Sequence, residues 1–185
     1  MSKIFVISAP SGTGKGTVIA ELLKRDENLY YSVSMTTRSP RAGEENGVSY
    51  HFVTRETFLE KLKNNEILEY TEYCDNFYGT PLDILEQKMS EGKNCLLEID
   101  VVGAENIRKM RKDAVLLFIA PPSMEELERR LRKRGTETDE VIAKRLAAAN
   151  SEMEKQSLFD YVVINGELEK AVNDIENIIK KEATK

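Results

Sequence analysis

Residues 4–17 constrain the fold more than any other stretch. Ile4-Phe-Val-Ile7 is an apolar run of the kind that forms a strand buried on both faces, and Ser8-Ala-Pro-Ser-Gly-Thr-Gly-Lys-Gly-Thr17 follows it directly. From Lys15 to Arg25 the pattern turns helical, with Val18, Ile19, Leu22 and Leu23 on one face. A strand, a glycine-rich turn and a helix in that order are the setting in which a phosphate-binding loop works. Main-chain N–H groups curl round an anion, the helix N-terminus adds partial positive charge, and a lysine adds a full one. The usual pattern is G-x-x-x-x-G-K-[ST]. Here Ala9 stands at the first glycine, tolerable where its φ is negative, and Gly16 stands where a hydroxyl is expected. Thr17 is then the hydroxyl left for a Mg²⁺ or phosphate contact. Ala9, Pro10, Ser11, Gly12, Thr13, Gly14, Lys15, Gly16 and Thr17 are the candidate triphosphate residues, with Lys15 against the β- and γ-phosphates.

Such a loop serves GTPases, ATPases and small-molecule kinases alike. The Asn-Lys-x-Asp tetrapeptide of a guanine-reading GTPase occurs nowhere in the chain, which argues against that class. Further strand-like runs at 29–34, 95–99, 115–119 and 161–164 alternate with helical patterns, so the expected core is a five-stranded parallel sheet covered by helices on both faces. Thr80-Pro81 is read as a helix start with Thr80 as cap; Ser123 and Glu126 read as a capping box, with Gly135 ending that helix. Residues 139–156 and 167–182 complete the helices.

The 185 residues carry 27 basic and 32 acidic side chains, a formal net charge of −5, which gives no general reason to expect nucleic-acid binding. The start shows no signal-peptide pattern, and no apolar run nears the roughly 20 residues that span a bilayer, so a cytoplasmic protein with no membrane partner is expected. Cys74 and Cys95 read as buried free thiols, and with His51 alone they cannot make a zinc site.

Between residues 35 and 79 the pattern changes. Runs 49–53 and 67–74 read as short antiparallel strands around a helix at 56–64, a lobe inserted into a core made of 1–34 and 80–185. A second insertion, about 133–145, is polar with little apolar anchoring and is expected to move as a lid. The first lobe gathers chemistry. Arg38 and Arg41 lie three apart on a loop and can fork onto one phosphate. Ser34 and Tyr50 flank them, Glu69 lies in ILEY, Tyr78 and Thr80 lie in NFYGTP, and Asp100 ends the strand CLLEID. Taken singly, each is an ordinary solvated side chain. Arg129, Arg130 and Arg132 read as a solvated helical face with partners such as Glu125–Arg129 and Glu126–Arg130. Arg134 and Arg145 bracket the lid.

As an ordered set, APSGTGKGT, SVSMTTRSPRAGEENGVSYHFV, FYGTP, LEID, IAPPS and RGTE…KRL resemble the guanylate kinases from Ile4 to about Asn165. The resemblance implies a P-loop NTPase core, a GMP-binding lobe and a lid, with transfer of the γ-phosphoryl group of ATP to GMP. It implies that Arg38, Arg41, Tyr50 and Tyr78 hold the GMP phosphate. It also implies that Ser34 and Thr80 face guanine O6, and that Glu69 and Asp100 accept from N1–H and the exocyclic amine. Lys15, Arg38, Arg134 and Arg145 would neutralise the transferring group, with Arg130 a weaker candidate. Asn165 would meet the adenine, and Mg²⁺ would lie near Thr17 and Asp100. Guanine chemistry agrees: hydroxyls and carboxylates suit its acceptor and two donors, and a site of that kind can reject adenine by around 10⁴-fold. Two other readings stand beside this one. A non-catalytic peptide-binding module of the same fold typically lacks the loop lysine and lid arginines, which are present here. Another nucleoside monophosphate kinase would differ in the acceptor pocket. The sequence leaves a homo-oligomer open.

Overall fold

A computed structural model describes residues 2–133 and 138–185. The main sheet has five parallel strands in the order β2-β7-β1-β8-β9, formed by β1 (Ile4–Ser8), β2 (Leu29–Ser32), β7 (Asn94–Glu98), β8 (Val115–Ala120) and β9 (Tyr161–Ile164). Alternation along these strands sends Phe5, Ile7, Leu96 and Leu117 to one face, under α1 (Lys15–Arg25) and α7 (Leu168–Ala183). Ile4, Val6, Leu97 and Phe118 go to the other, under α3 (Leu82–Ser90) and α4 (Val101–Met110). The inner strands β1 and β8 are buried on both sides, as their continuous apolar character requires, whereas the edge strands β2 and β9 are only partly covered. The phosphate loop and Asp100 therefore emerge at the carboxyl ends of neighbouring strands, where open α/β sheets hold ligands.

A second, four-stranded sheet runs β4-β3-β6-β5, from β3 (Met35–Thr36), β4 (His51–Phe52), β5 (Ile67–Tyr73) and β6 (Asn76–Pro81), with α2 (Arg55–Lys63) beside it. Met35, Phe58, Ile67 and Phe77 form its own small core. β4 pairs in parallel with β3, not antiparallel with its neighbours as expected. FYGTP is a strand, pairing with β5 on one side and β3 on the other. Thr80 is consequently no helix cap: α3 starts at Leu82 with Pro81 before it, and no side chain caps it. The Thr80 hydroxyl is spent on buried Glu69 across the β5–β6 pair, a stronger demand than an exposed helix end. Cys74 is exposed at the β5–β6 turn, where Cys74 and Asp75 both have positive φ, so only Cys95 is a buried thiol.

Helix α4 escapes the sequence reading altogether. α5 (Met124–Lys133) and α6 (Asp139–Glu154) pack through Leu127, Leu131, Ile142 and Ala149, so the second insertion has an apolar anchor at Ile142 that its polar composition hides. Residues 134–137, which include the expected helix end at Gly135, lie outside the described residues. The Ser123 hydroxyl accepts from Glu126 N–H at 3.2 Å, one half of the expected capping box; the Glu126 carboxylate turns instead to Arg129 and Arg130. Arg129 thus pairs with Glu126 rather than Glu125.

Candidate active site

The loop after β1 is built by its glycines and braced from below. Gly12 (φ 95°) and Gly14 (φ 93°) occupy the left-handed region that side chains resist, and Ala9 does not share it. A Cβ on Gly12 would lie 2.7 Å from Leu131 Cδ2, so α5 packs directly against the loop. The buried Thr13 hydroxyl donates to Pro10 O at 2.7 Å, and Thr13 O accepts from Asn165 Nδ2 at 2.8 Å. Arg130 ties these parts together. Its guanidinium donates to Asn165 O (2.9 Å) and Thr13 O (3.3 Å), and its Nε is held by Glu126 at 2.8 Å. Two guanidinium partners hold the Glu126 carboxyl down to about 2. Arg130 is thus a structural brace of the loop, not part of a solvated face.

Three cavities surround this loop. One of 480 Å³ is lined by residues 9–12 and 14–17 together with Glu98, Asp100 and Glu152. A second, of 390 Å³, lies beside Thr13, Arg130, Lys133 and Asn165. The third, also 390 Å³, opens toward the second sheet, with Ser34, Tyr50, Glu69 and Tyr78 on its walls. Lys15, Glu98 and Asp100 line both the first and the third. An anion on the loop can therefore face a group bound in the third cleft across a shared wall.

In that cleft Glu69 is 5 % exposed and takes the Thr80 hydroxyl at 2.8 Å; burial pushes its carboxyl up to about 7, with a smaller push from Asp100. Asp100 caps α4, accepting from Gly103 N–H at 2.7 Å through Oδ1. Gly103 packs closely there: a Cβ would lie 3.0 Å from Glu69 Oε2, so the carboxylate would have to give way by a few tenths of an ångström. Tyr50 and Tyr78 meet edge to face at 6.0 Å. The Arg38 guanidinium lies 5.5 Å from the Tyr50 ring centroid and pairs with Glu44 at 2.9 Å. Arg41 is exposed on the same loop; its main-chain N–H, not its side chain, contacts Glu44, and it lines none of these cavities. Arg145 is half-buried on α6, and Arg134 lies outside the described residues.

Two acidic groups went unnoticed in the sequence. Glu98, at the end of β7, lies 3.5 Å from Lys15 Nζ. Glu152 faces the same ammonium from α6; burial raises its carboxyl above the usual range while Lys15 opposes the shift. Its signal was its place seven residues after Arg145, two turns along one helix face. Among the described residues no group of three or more acidic, His or Cys side chains is placed to hold a metal. The Thr17 hydroxyl and Asp100 can still serve Mg²⁺, which takes one or two carboxylates and completes its shell with phosphate and water oxygens.

Comparison with known proteins gives the same reading. The sequence profile of guanylate kinase matches residues 1–182. Guanylate kinase of Wolbachia pipientis wMel is 49% identical over 183 residues, 98% of this chain and 91% of that protein. That of Synechococcus sp. (strain JA-3-3Ab) is 46% identical over 177 residues, 96% and 82% of the two. The crystal structure of guanylate kinase from Anaplasma phagocytophilum superposes with a TM-score of 0.81 at 40% identity, covering 100% of this chain and 87% of that one. Phosphate loop, two-sheet architecture and matched relatives together show that the chain belongs to the guanylate kinase family.

Proposed function

We propose that the chain transfers the γ-phosphoryl group of ATP to GMP, giving ADP and GDP, as a cytoplasmic enzyme of purine nucleotide metabolism. The observation that carries this is the wall shared by the phosphate cavity and the acceptor cleft at Lys15, Glu98 and Asp100. Two nucleotides bound on either side point their phosphates at one another. The attacking GMP oxygen is already ionised, so the reaction needs no strong base, only positioning and charge neutralisation.

The loop and Lys15 bind the donor triphosphate; Asn165 and Arg130 border its base. Residues 35–79 act as the acceptor lobe. Glu69 and Asp100 accept from guanine N1–H and the exocyclic amine, and Ser34 and Thr80 serve O6. Tyr50, Tyr78, Arg38 and Arg41 take the GMP phosphate, with Arg38 exchanging Glu44 for it. Arg134 and Arg145 act from the lid. Thr17 and Asp100 serve Mg²⁺, which when bound neutralises charge on the transferring phosphates.

A coupled assay of ADP formation with ATP and either GMP, dGMP, AMP or UMP tests the reading. GMP is turned over and AMP is not, by a margin of around 10⁴ in kcat/KM. Equal rates with AMP or UMP identify a different monophosphate kinase; no turnover with any acceptor identifies a binding module.

A further inference from the structure

We infer that Tyr31 is a positioning residue for phosphoryl transfer: its hydroxyl holds Glu98 so that this carboxylate guides the Lys15 ammonium without capturing it. The sheet register creates the arrangement. Tyr31 on β2 lies opposite Leu96 on β7, and Glu98, two residues on, shares the face of Leu96 beneath the start of α1. The Tyr31 hydroxyl donates to Glu98 Oε2 at 3.0 Å, while Glu98 Oε1 lies 3.5 Å from Lys15 Nζ. That second distance is an ion pair but too long for a good charge-assisted hydrogen bond, which closes to about 2.8 Å.

One carboxylate thus serves two donors. With Oε2 committed to a neutral hydroxyl, only Oε1 is offered to Lys15, and the pair stays loose. A donor phosphate then takes the ammonium from Glu98 at small cost. Without the hydroxyl, both oxygens are free to turn on Lys15 and compete with the phosphate. The phenol is suited to this task. Burial, reinforced by Glu98, holds its ionisation far above neutral pH, so it stays a donor. Its ring packs against the core under α1, so the hydroxyl can be removed without emptying the site.

The inference rests on the proposed function, since it assumes that Lys15 grips the donor. Four variants separate the two. Binding of ADP by calorimetry and steady-state kinetics are measured for Tyr31→Phe, Glu98→Gln and their double variant, with Lys15→Met alongside. Tyr31→Phe is expected to weaken ADP binding and raise the KM for ATP about fivefold. It leaves kcat and the KM for GMP within about twofold. In the Glu98→Gln background the Tyr31→Phe change has no further effect, because the competing charge is gone. Unchanged ADP affinity in Tyr31→Phe, additive effects in the double variant, or a loss confined to the KM for GMP would each overturn the inference. ADP binding that survives Lys15→Met would instead remove the functional reading beneath it.

Discussion

Glu69 is the residue at which stability conflicts with the recognition of guanine proposed for it. Its carboxyl is pushed up to about 7 from the usual 4.5, first by burial, then by Asp100, against the opposing Thr80 hydrogen bond. For an acid with a raised folded value the native state holds the proton more tightly. The native state is unpenalised below the unfolded value and loses stability as pH rises from about 4.5 to 7. The loss amounts to about 3 kcal/mol at most above that window. Glu69→Gln is therefore expected to raise the melting temperature at pH 8 and to change it far less at pH 5. On the proposed function the same variant should lose GMP turnover, since an amide N–H would face the guanine donors where a carboxylate oxygen accepts from them. A melting series over that range, flat for the variant and falling for the parent relative to it, checks the claim. Glu69 could be named from the sequence because its motif is local. Glu98 and Tyr31 could not: they meet only through the pairing of β2 with β7, which strand pattern does not specify.

At the scale of elements, α4 shows why a helix can hide. Val101-Val102-Gly103 resumes the apolar character of β7 after Glu98-Ile99-Asp100, and the one helix-start signal is Asp100, which doubles as cap and as cleft wall. The five core strands were legible because each is a short run rich in apolar or aromatic side chains, fully buried in β1 and β8 and partly covered in the edge strands β2 and β9. β6 was not, because Gly79 reads as a turn residue and Thr80-Pro81 as a helix start. Gly79 is present for close approach instead: a Cβ there would meet Glu69 O at 2.9 Å. The two duties of Asp100 can be separated. Asp100→Asn keeps a side-chain acceptor for Gly103 N–H, so its melting temperature should stay near that of the parent. Asp100→Ala loses the cap, about 1 kcal/mol, and melts about 2–4 °C lower. On the proposed function both should lose at least about tenfold in kcat/KM for GMP, because both lack the charge proposed to face the exocyclic amine. Equal activity in the Asn variant and the parent would confine Asp100 to capping.

The whole molecule places two cavities on either side of three side chains, Lys15, Glu98 and Asp100, with α5 braced against the loop through Gly12 and Arg130. A ligand that spans both clefts engages the two sheets at once, so its binding energy is felt by the entire fold. Adenosine and guanosine joined through a polyphosphate chain is such a ligand. At about a thousand times its dissociation constant it should stabilise the chain by about 4 kcal/mol, or about 8–16 °C in melting temperature for a protein of this size. ADP or GMP alone at the same concentration should shift it less, because each fills one cleft. Lys15→Met should abolish most of the shift given by the joined ligand and by ADP, and little of that given by GMP, whose proposed pocket has Tyr50, Glu69 and Tyr78 of the second lobe on its walls. A joined ligand that stabilises no better than ADP would mean that the two clefts cannot be filled together. The shared wall would then separate two sites, and direct transfer across it would have no structural basis.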